Sequence, residues 1–412
     1  MSAGFITRWA GSDLRLALLR TMSWEFFLAA LSVPASILLN RSLGAEGRGL
    51  LTLIQLVPTT IFTLGTCQWD RLAKGYLTSG QLEGREAWRR SLYYALVLSA
   101  VFIPVSVAGS FLYQAVPEQS RWMSALYSLN FPLYFLNGTL GAIFLASGSI
   151  SGQYRMTVAY QGSYLVFLTV CFLTGTVSVG SMLVVYALIY VVALSTGLAM
   201  KNGLLRGATQ SGRPPVAPLR RGFIPFALET LGGRADDWAL SIFAELAVLG
   251  SYAAITALML PMNLVSNAMI NAATAKLNWR DNAAVTRYLV RNVVILFAFT
   301  VLISISGLAC GGPVLGWVLG KSFTGAVWMI PWVTGIVLAN ASAFQFHIAL
   351  QLSGRQKEYL LIQSAAPVVR LALVLSCGAV FGTEGVLFGL AVNGVLRALV
   401  CAGIMFRKRS GQ

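Results

Sequence analysis

Charged residues and histidine are scarce in this sequence, and their scarcity narrows the possible functions. Only 11% of the 412 residues are charged and one is histidine, whereas soluble domains carry about a quarter charged residues. One histidine cannot form a His-rich metal site, and the five cysteines have neither metal-ligand nor disulfide spacing. No glycine-rich phosphate loop of the Walker type is present, which excludes ATP as the energy source. We therefore predict neither an enzyme nor a metal or cofactor site.

Long hydrophobic runs dominate the sequence instead, and 57% of the residues are hydrophobic. A helix needs about 20 mostly apolar residues to cross a bilayer, and runs this long predict helices rather than barrel strands. We predict an all-α polytopic membrane protein with twelve transmembrane helices. The predicted spans lie at about residues 22–39, 50–68, 91–113, 123–146, 156–175, 180–200, 223–243, 251–275, 292–310, 327–350, 359–379 and 386–406.

The net charge of +16 results from an asymmetric distribution of Lys and Arg. With the N-terminus inside, the inner loops and termini contain 23 of the 30 basic residues, the outer loops four and the spans three. This positive-inside pattern predicts a multi-pass protein of the cytoplasmic (inner) membrane with both termini in the cytoplasm. It also predicts attraction to anionic membrane lipid rather than to nucleic acid.

The two halves of the sequence resemble each other. Gly49 and Gly250 follow small-residue turns at an offset of 201 residues, and Pro58 and Pro261 recur at nearly that offset. Such matches predict two pseudo-symmetric six-helix lobes with a site at the repeat interface. The predicted parts are a cytoplasmic interfacial segment at 1–21, an N-lobe at 22–200, a cytoplasmic linker at 201–222, a C-lobe at 223–406 and a basic cytoplasmic tail at 407–412.

Four predicted spans carry polar residues along one helix face, and in lipid such a face must meet protein or water. A single polar face can be explained by hydrogen bonds between neighbouring helices, each of which contributes about 0.6 kcal/mol. Four of them, on spans 2, 4, 8 and 10, favour a hydrated cavity between two lobes. His347 is either a core histidine or a group that titrates during transport. The candidate cavity residues are Gln55, Asn137, Asn263, Asn267, Asn271, His347 and Gln351.

Three arginines lie near the middle of predicted spans, where each costs about 2.5–3.5 kcal/mol to insert. Arg234 lies in LETLGGRADDWAL, beside acidic residues with which it can pair instead of binding a substrate. Arg370 and Arg397 have no acidic residue within reach on their own helices. They are therefore the stronger candidates for binding a negatively charged substrate, and the planar fork of arginine suits phosphate.

Four carboxylates in or beside the spans are candidate ion-coupling sites for a proton or a sodium ion. Glu25 lies near the start of span one, where facing the membrane interface is the alternative interpretation. The other three belong to the charged stretch of span seven, where self-pairing around a polar lumen is the alternative. They are Glu229, Asp236 and Asp237.

Three stretches resemble one known family. LNRSLGAEGRGLL resembles the span-one hairpin of polysaccharide (O-antigen, Wzx-type) flippases, which belong to the multidrug/oligosaccharidyl-lipid/polysaccharide (MOP) exporter superfamily. RADDWALSIFAELAVLGSYA resembles the span-seven motif of that family, with Asp236 at the aspartate position, and GPVLGWVLGKSFTGAVWMIPWV resembles the stretch before span ten. Asp237 departs from the pattern, since a basic residue is commoner there.

The resemblance implies two six-helix lobes in a MATE-like V shape that opens alternately to each side. It implies a flippase that moves a polyprenyl-diphosphate-linked oligosaccharide to the outer leaflet for cell-surface polysaccharide biosynthesis, such as O-antigen or exopolysaccharide. A polysaccharide polymerase or assembly complex is a candidate partner. The main alternative is a multidrug exporter of the same superfamily, whose cavity for cationic drugs should be acidic. A major-facilitator carrier and a non-transporting scaffold are the further alternatives.

Replacing Arg370 or Arg397 by alanine is expected to abolish export while leaving the protein inserted, because the diphosphate would lose a charge-assisted partner. Export of the lipid-linked oligosaccharide, measured beside membrane abundance, checks this prediction. Normal export by both single variants would exclude these arginines from the substrate site.

Overall fold

The described part of the chain is helical throughout, and no strand occurs in it. The computed structural model of the chain describes residues 3–78, 81–147, 149–200, 217–259, 266, 282–353 and 355–406. The helices are α1 (Ala3–Gly65), α2 (Trp69–Thr78), α3 (Gly84–Leu112), α4 (Glu118–Tyr127), α5 (Phe131–Ala146), α6 (Ile150–Leu173), α7 (Val179–Met200), α8 (Ala217–Gly233), α9 (Ala235–Phe243), α10 (Leu246–Leu258), α11 (Asn282–Val318), α12 (Met329–Leu352) and α13 (Gln356–Phe406). Short 3-10 turns at Ser128–Asn130 and Lys321–Ala326 precede α5 and α12.

The structure confirms the all-helical polytopic membrane fold. Eight helices of the described ranges are long and apolar enough to cross a membrane. Two of them, Ser23–Leu77 and Lys357–Met405, have 55 and 49 residues, so each accommodates two of the predicted spans. The span predicted at 251–275 is described as helix only in its first part.

Glycines in left-handed backbone conformations separate spans that share one long helix. Gly44 interrupts α1 with φ 68°, and Gly382 interrupts α13 with φ 61°. Residues with a Cβ atom rarely adopt such angles, whereas glycine does so without steric cost. The connections predicted between spans one and two, and between spans eleven and twelve, are therefore reduced to single-residue breaks within otherwise helical chain.

Contacts divide the chain into two compact units. One unit, Pro34–Gly250, has an aromatic core that includes Phe62, Phe131 and Phe135, and a second cluster around Leu168. The other unit comprises Met1–Val33 and Ser251–Gln412, and its core cluster contains Val285, Leu289, Phe346 and Leu350. The lobe and linker boundaries predicted from the sequence stay predictions, since most of the linker at 201–222 lies outside the described residues.

Two glycines allow a close helix crossing inside the unit Pro34–Gly250. A Cβ atom added to Gly49 would lie 1.9 Å from the carbonyl oxygen of Leu246, and one added to Gly250 would lie 1.9 Å from that of Ala45. Gly250 follows Gly49 by 201 positions and Leu246 follows Ala45 by 201 positions, so the offset found in the sequence exchanges one contact with the other. Such reciprocal contacts are expected where two copies of a duplicated unit meet across a local two-fold axis.

Candidate functional site

The first wall of the candidate site begins at a sharp turn after α1. Cys67 and Gln68 have φ values of 47° and 61°, and they turn the chain directly into α2. The indole Nε1 of Trp69 donates a hydrogen bond to the Ser91 hydroxyl at 2.8 Å. Its ring packs edge-on against Tyr94 with centroids 4.7 Å apart. These contacts fix the start of α2 on α3.

The sequence of α2 is amphipathic, and the burial of its residues follows that pattern. Trp69, Ala73 and Tyr76 recur at helical spacing and are buried in the aromatic core. Arg71 and Lys74 lie on other faces of the helix and are exposed. Packing of one face therefore directs two cations away from the core.

These cations line a cavity of about 400 Å³ that lies wholly within the unit Pro34–Gly250. The helix α2 contributes one end of the cavity, while α5, α6 and α7 form the walls. The lining residues are Asp70, Arg71, Lys74, Asn137, Gly138, Gly141, Ala142, Leu145, Gln153, Met156, Thr157, Tyr160, Tyr190 and Ala193.

Asn137 is a fixed hydrogen-bonding group in the α5 wall. Its Nδ2 donates to the carbonyl oxygens of Leu133 at 2.8 Å and Tyr190 at 3.0 Å. The bond to Tyr190 ties α5 to α7, and the bond to Leu133 within α5 helps to orient the amide. The Oδ1 atom is buried and accepts no hydrogen bond from the described residues. Because an unsatisfied buried acceptor is costly, this oxygen is suited to a ligand hydroxyl.

Tyrosines form part of the α6 and α7 walls. The rings of Tyr160 and Tyr190 lie 5.5 Å apart and both line the cavity. One turn further along α6, Tyr164 stacks on Tyr186 at 5.6 Å with their hydroxyl oxygens 3.4 Å apart. Such rings present an apolar face and a polar edge. The wall can therefore contact the apolar face of a sugar and its hydroxyls together.

An ion pair joins the cation-bearing end of the cavity to α8. The Nη1 atom of Arg71 lies 3.2 Å from Oε2 of Glu229, and its guanidinium lies 5.6 Å from the ring centroid of Phe226. The cavity lining itself contains two cations, Arg71 and Lys74, and one carboxylate, Asp70. The balance of charge in the lining favours an anion.

The charged stretch of span seven breaks the helix. Arg234 has φ −111° and ψ 15°, so α8 ends at Gly233 and α9 begins at Ala235. Asp236 and Asp237 occupy the first turn of α9, where the helix dipole favours negative charge. Arg234 lies 3.9 Å from Asp237, which is the internal pairing considered as the alternative to substrate binding.

The remaining predicted site residues fall outside this cavity or outside the described residues. Gln55 is half-buried in α1, and Glu25 lies nearer the start of that helix. Within the polar face of span two, the Thr59 hydroxyl donates to the Gln55 carbonyl at 2.6 Å. Asn263, Asn267 and Asn271, and the side chain of Gln351, lie outside the described residues.

The other unit contains the remaining predicted residues. His347 is 4% exposed and stacks on Tyr359 with ring centroids 4.3 Å apart. This placement is typical of a core histidine, although its Nδ1 accepts no hydrogen bond from the described residues. Arg397 lies close enough for its charge to act on His347, and Arg370 is half-buried on the same helix α13. The substrate role of both arginines stays a prediction.

Sequence reasoning missed most of the cavity. Arg71 and Lys74 were counted as basic residues of a cytoplasmic loop, and the wall residues Gln153, Thr157 and Tyr160 were not singled out. The stretch WDRLAKGYL could have indicated them, because its apolar residues recur at helical spacing and leave its charged residues on the other faces of the helix. Of the predicted substrate-binding residues, Asn137 lies in the wall.

Solved structures similar to this chain are transporters of the MOP superfamily. The lipid II flippase MurJ in an inward closed conformation has a TM-score of 0.67 at 12% identity, over 93% of this chain and 87% of that one. An inward-facing multidrug resistance MATE family transporter has a TM-score of 0.62 at 14% identity, over 95% and 97%. A MOP superfamily transporter from Pyrococcus furiosus, described as having a binding pocket of reverse polarity, has a TM-score of 0.62 at 13% identity, over 95% of each chain.

These similarities show that the chain has the fold of the MOP superfamily transporters. No protein-family model and no curated protein sequence matches this chain. The similar structures include a lipid flippase and multidrug transporters, so the shared fold leaves the substrate class open. The chemistry of the cavity therefore has to decide it.

Proposed function

We propose that this protein is a flippase of the cytoplasmic membrane that moves a polyprenyl-diphosphate-linked oligosaccharide from the inner to the outer leaflet by alternating access. The observation that carries the proposal is the cavity in the unit Pro34–Gly250, with two cations at one end and a polar, aromatic wall. Its volume of about 400 Å³ falls in the range of about 300–1,000 Å³ usual for small-molecule sites.

The cations of α2 suit the diphosphate. Arg71 offers planar paired donors, and Lys74, one turn further on, offers a mobile ammonium group. Charge-assisted hydrogen bonds to phosphate are about twice as strong as neutral ones. Asp70 beside them keeps the net charge of the lining small, so the headgroup can leave again.

The other walls suit a glycan. The Oδ1 atom of Asn137 accepts from a hydroxyl, Gln153 and Thr157 offer further polar groups, and Tyr160 presents an aromatic ring. The polyprenyl tail would remain in the bilayer, since exposed apolar side chains such as Leu96 and Leu173 cover the outer surface of this unit. This division between a polar cavity and an apolar exterior is what a lipid-linked sugar requires.

Replacing Tyr160 by alanine is expected to weaken binding of a polyprenyl-diphosphate disaccharide about tenfold, because the sugar loses its aromatic contact. Tyr160→Phe keeps the ring and should retain most of the affinity. Affinities for the disaccharide probe and for the same diphosphate without sugar should be measured side by side. An equal loss for both probes would show that Tyr160 does not contact the glycan.

Multidrug export is the second candidate function, and the similarity to multidrug resistance transporters favours it. The charge of the cavity argues against it, because the lining contains two cations, Arg71 and Lys74, and only one carboxylate, Asp70, to attract an organic cation. An inward flow of protons or sodium ions could reset either type of carrier, at about 2.3 kcal/mol per charge across 100 mV. Glu25, Glu229, Asp236 and Asp237 remain the proposed coupling carboxylates, and a polysaccharide polymerase or assembly complex remains the proposed partner.

Ligand-dependent thermal stability distinguishes the two functions. The purified full chain should be heated with farnesyl diphosphate, with farnesol and with tetraphenylphosphonium. We expect only the diphosphate to stabilise the protein, by about 2.7 kcal/mol at one hundred times its dissociation constant. Stabilisation by tetraphenylphosphonium, without any effect of farnesyl diphosphate, would favour the drug exporter.

A further inference from the structure

The ion pair between Arg71 and Glu229 connects the cavity to the broken helix of span seven. The carboxylate lies 3.2 Å from the guanidinium, and both side chains are substantially exposed, at 55% for Arg71 and 40% for Glu229. Exposed pairs of this kind are weak and exchange readily. The contact therefore holds the guanidinium in place without locking it.

A carboxylate and a phosphate compete for the same donors on a guanidinium. Both present two oxygens that accept parallel N–H bonds in the same plane. Glu229 thus occupies, on Arg71, a donor position that a phosphate oxygen would need. We propose that Glu229 is a specificity-determining residue of this cavity, because it competes for Arg71 with the ligand and is displaced by a ligand that supplies a stronger anion. This proposal rests on the proposed function.

The charge of the ligand decides whether displacement occurs. Glu229 offers Arg71 a single negative charge, whereas a diphosphate carries more than one and can contact Lys74 on the neighbouring turn of α2 at the same time. A neutral lipid offers no replacement for the carboxylate, and a cation cannot accept the N–H bonds of the guanidinium. The pair therefore favours ligands with more than one negative charge over neutral lipids and cations.

Displacement also removes one of the contacts between α8 and α2. Phe226, which lies under the Arg71 guanidinium, and Glu229 are both on α8. Glu229 precedes the helix break at Arg234 by five residues. Binding of a diphosphate would thus remove a contact that restrains the first half of span seven. This assigns a role to Glu229, an acidic residue of the charged stretch that does not belong to the Arg234–Asp237 pair.

Isothermal titration of the full chain with farnesyl diphosphate, farnesyl monophosphate and farnesol tests the proposal. Glu229→Gln should bind the diphosphate about threefold more tightly than the unmodified protein, because the competing charge is gone. Farnesol binding should not change. Glu86→Gln is the matched control, since Glu86 also pairs with arginines, at 2.8 Å from Arg90, but does not line the cavity.

A double-mutant cycle separates competition for Arg71 from a general loss of negative charge. The gain from Glu229→Gln should disappear in an Arg71→Gln background. Unchanged or weaker diphosphate binding by Glu229→Gln, in a monodisperse protein, overturns the proposal while leaving the flippase function standing. A gain of the same size in the Arg71→Gln background also overturns it. Absence of diphosphate binding by the unmodified protein overturns both proposals together.

Discussion

Replacement of both Arg71 and Lys74 by glutamine is expected to reduce diphosphate affinity at least about 100-fold. Hydrogen bonds to charged groups contribute about 1.5–3 kcal/mol each, and two of them correspond to roughly two to four powers of ten. Both side chains are exposed and line the cavity, whereas Trp69 and Ala73 on another face of α2 are buried in the core. The fold should therefore survive the change, and calorimetry with farnesyl diphosphate measures the loss.

The control for this variant removes the same charge elsewhere. Arg85 and Arg89 lie at the start of α3 outside the cavity lining, and the side chain of Arg89 is 80% exposed. Arg85→Gln with Arg89→Gln lowers the net charge equally, so it accounts for any long-range attraction of the anion. Equal losses of affinity in the two double variants would mean that the cavity cations make no direct contact with the diphosphate.

Replacement of Gly49 or Gly250 by alanine is expected to destabilise the protein by about 3 kcal/mol or more. The added Cβ would lie 1.9 Å from a backbone carbonyl oxygen in either case, and backbone cannot move aside as a flexible side chain can. The helices α1 and α10 would have to separate at their crossing. The yield of monodisperse protein and its thermal midpoint in detergent measure the effect.

Gly162→Ala is the matched substitution on another helix. Gly162 lies within α6, and no heavy atom is found within 4 Å of the position of its Cβ. Alanine there should be neutral or stabilising by up to about 1 kcal/mol, as expected from helix propensity. If all three alanine variants were equally stable, the close crossing would not be a feature of the folded protein.

Run length was enough to predict where the helical spans lie, because the bilayer imposes a minimum apolar length and a helical backbone. The helix breaks depend on local backbone geometry and could be predicted less well. The turn near Gly44 was anticipated from its small neighbours, but the break at Arg234 was not. By hydropathy, residues 223–243 form one continuous apolar run. The helix break depends instead on the backbone angles at Arg234 and on the packing of Trp238 against Tyr113, which hydropathy does not report.

The cavity was harder to predict than the spans. Arg71 and Lys74 immediately follow span two, where basic residues normally report topology alone. Their role depends on the turn at Cys67 and Gln68, which packs α2 against α3 and α5. Asn137 could be predicted, because a polar residue on a membrane helix must face protein or water. The aromatic wall could not, since tyrosines at helical spacing are equally typical of a packed core.

Flippase activity is measured as the transfer of a fluorescent polyprenyl-diphosphate oligosaccharide between the leaflets of proteoliposomes. Lectin or enzyme access to the glycan reports which leaflet the probe occupies. We expect transfer by the unmodified protein and by Arg85→Gln with Arg89→Gln, and its loss in Arg71→Gln with Lys74→Gln. No transfer by unmodified protein with verified insertion, alongside ion-coupled efflux of tetraphenylphosphonium, would contradict the account and favour a drug exporter.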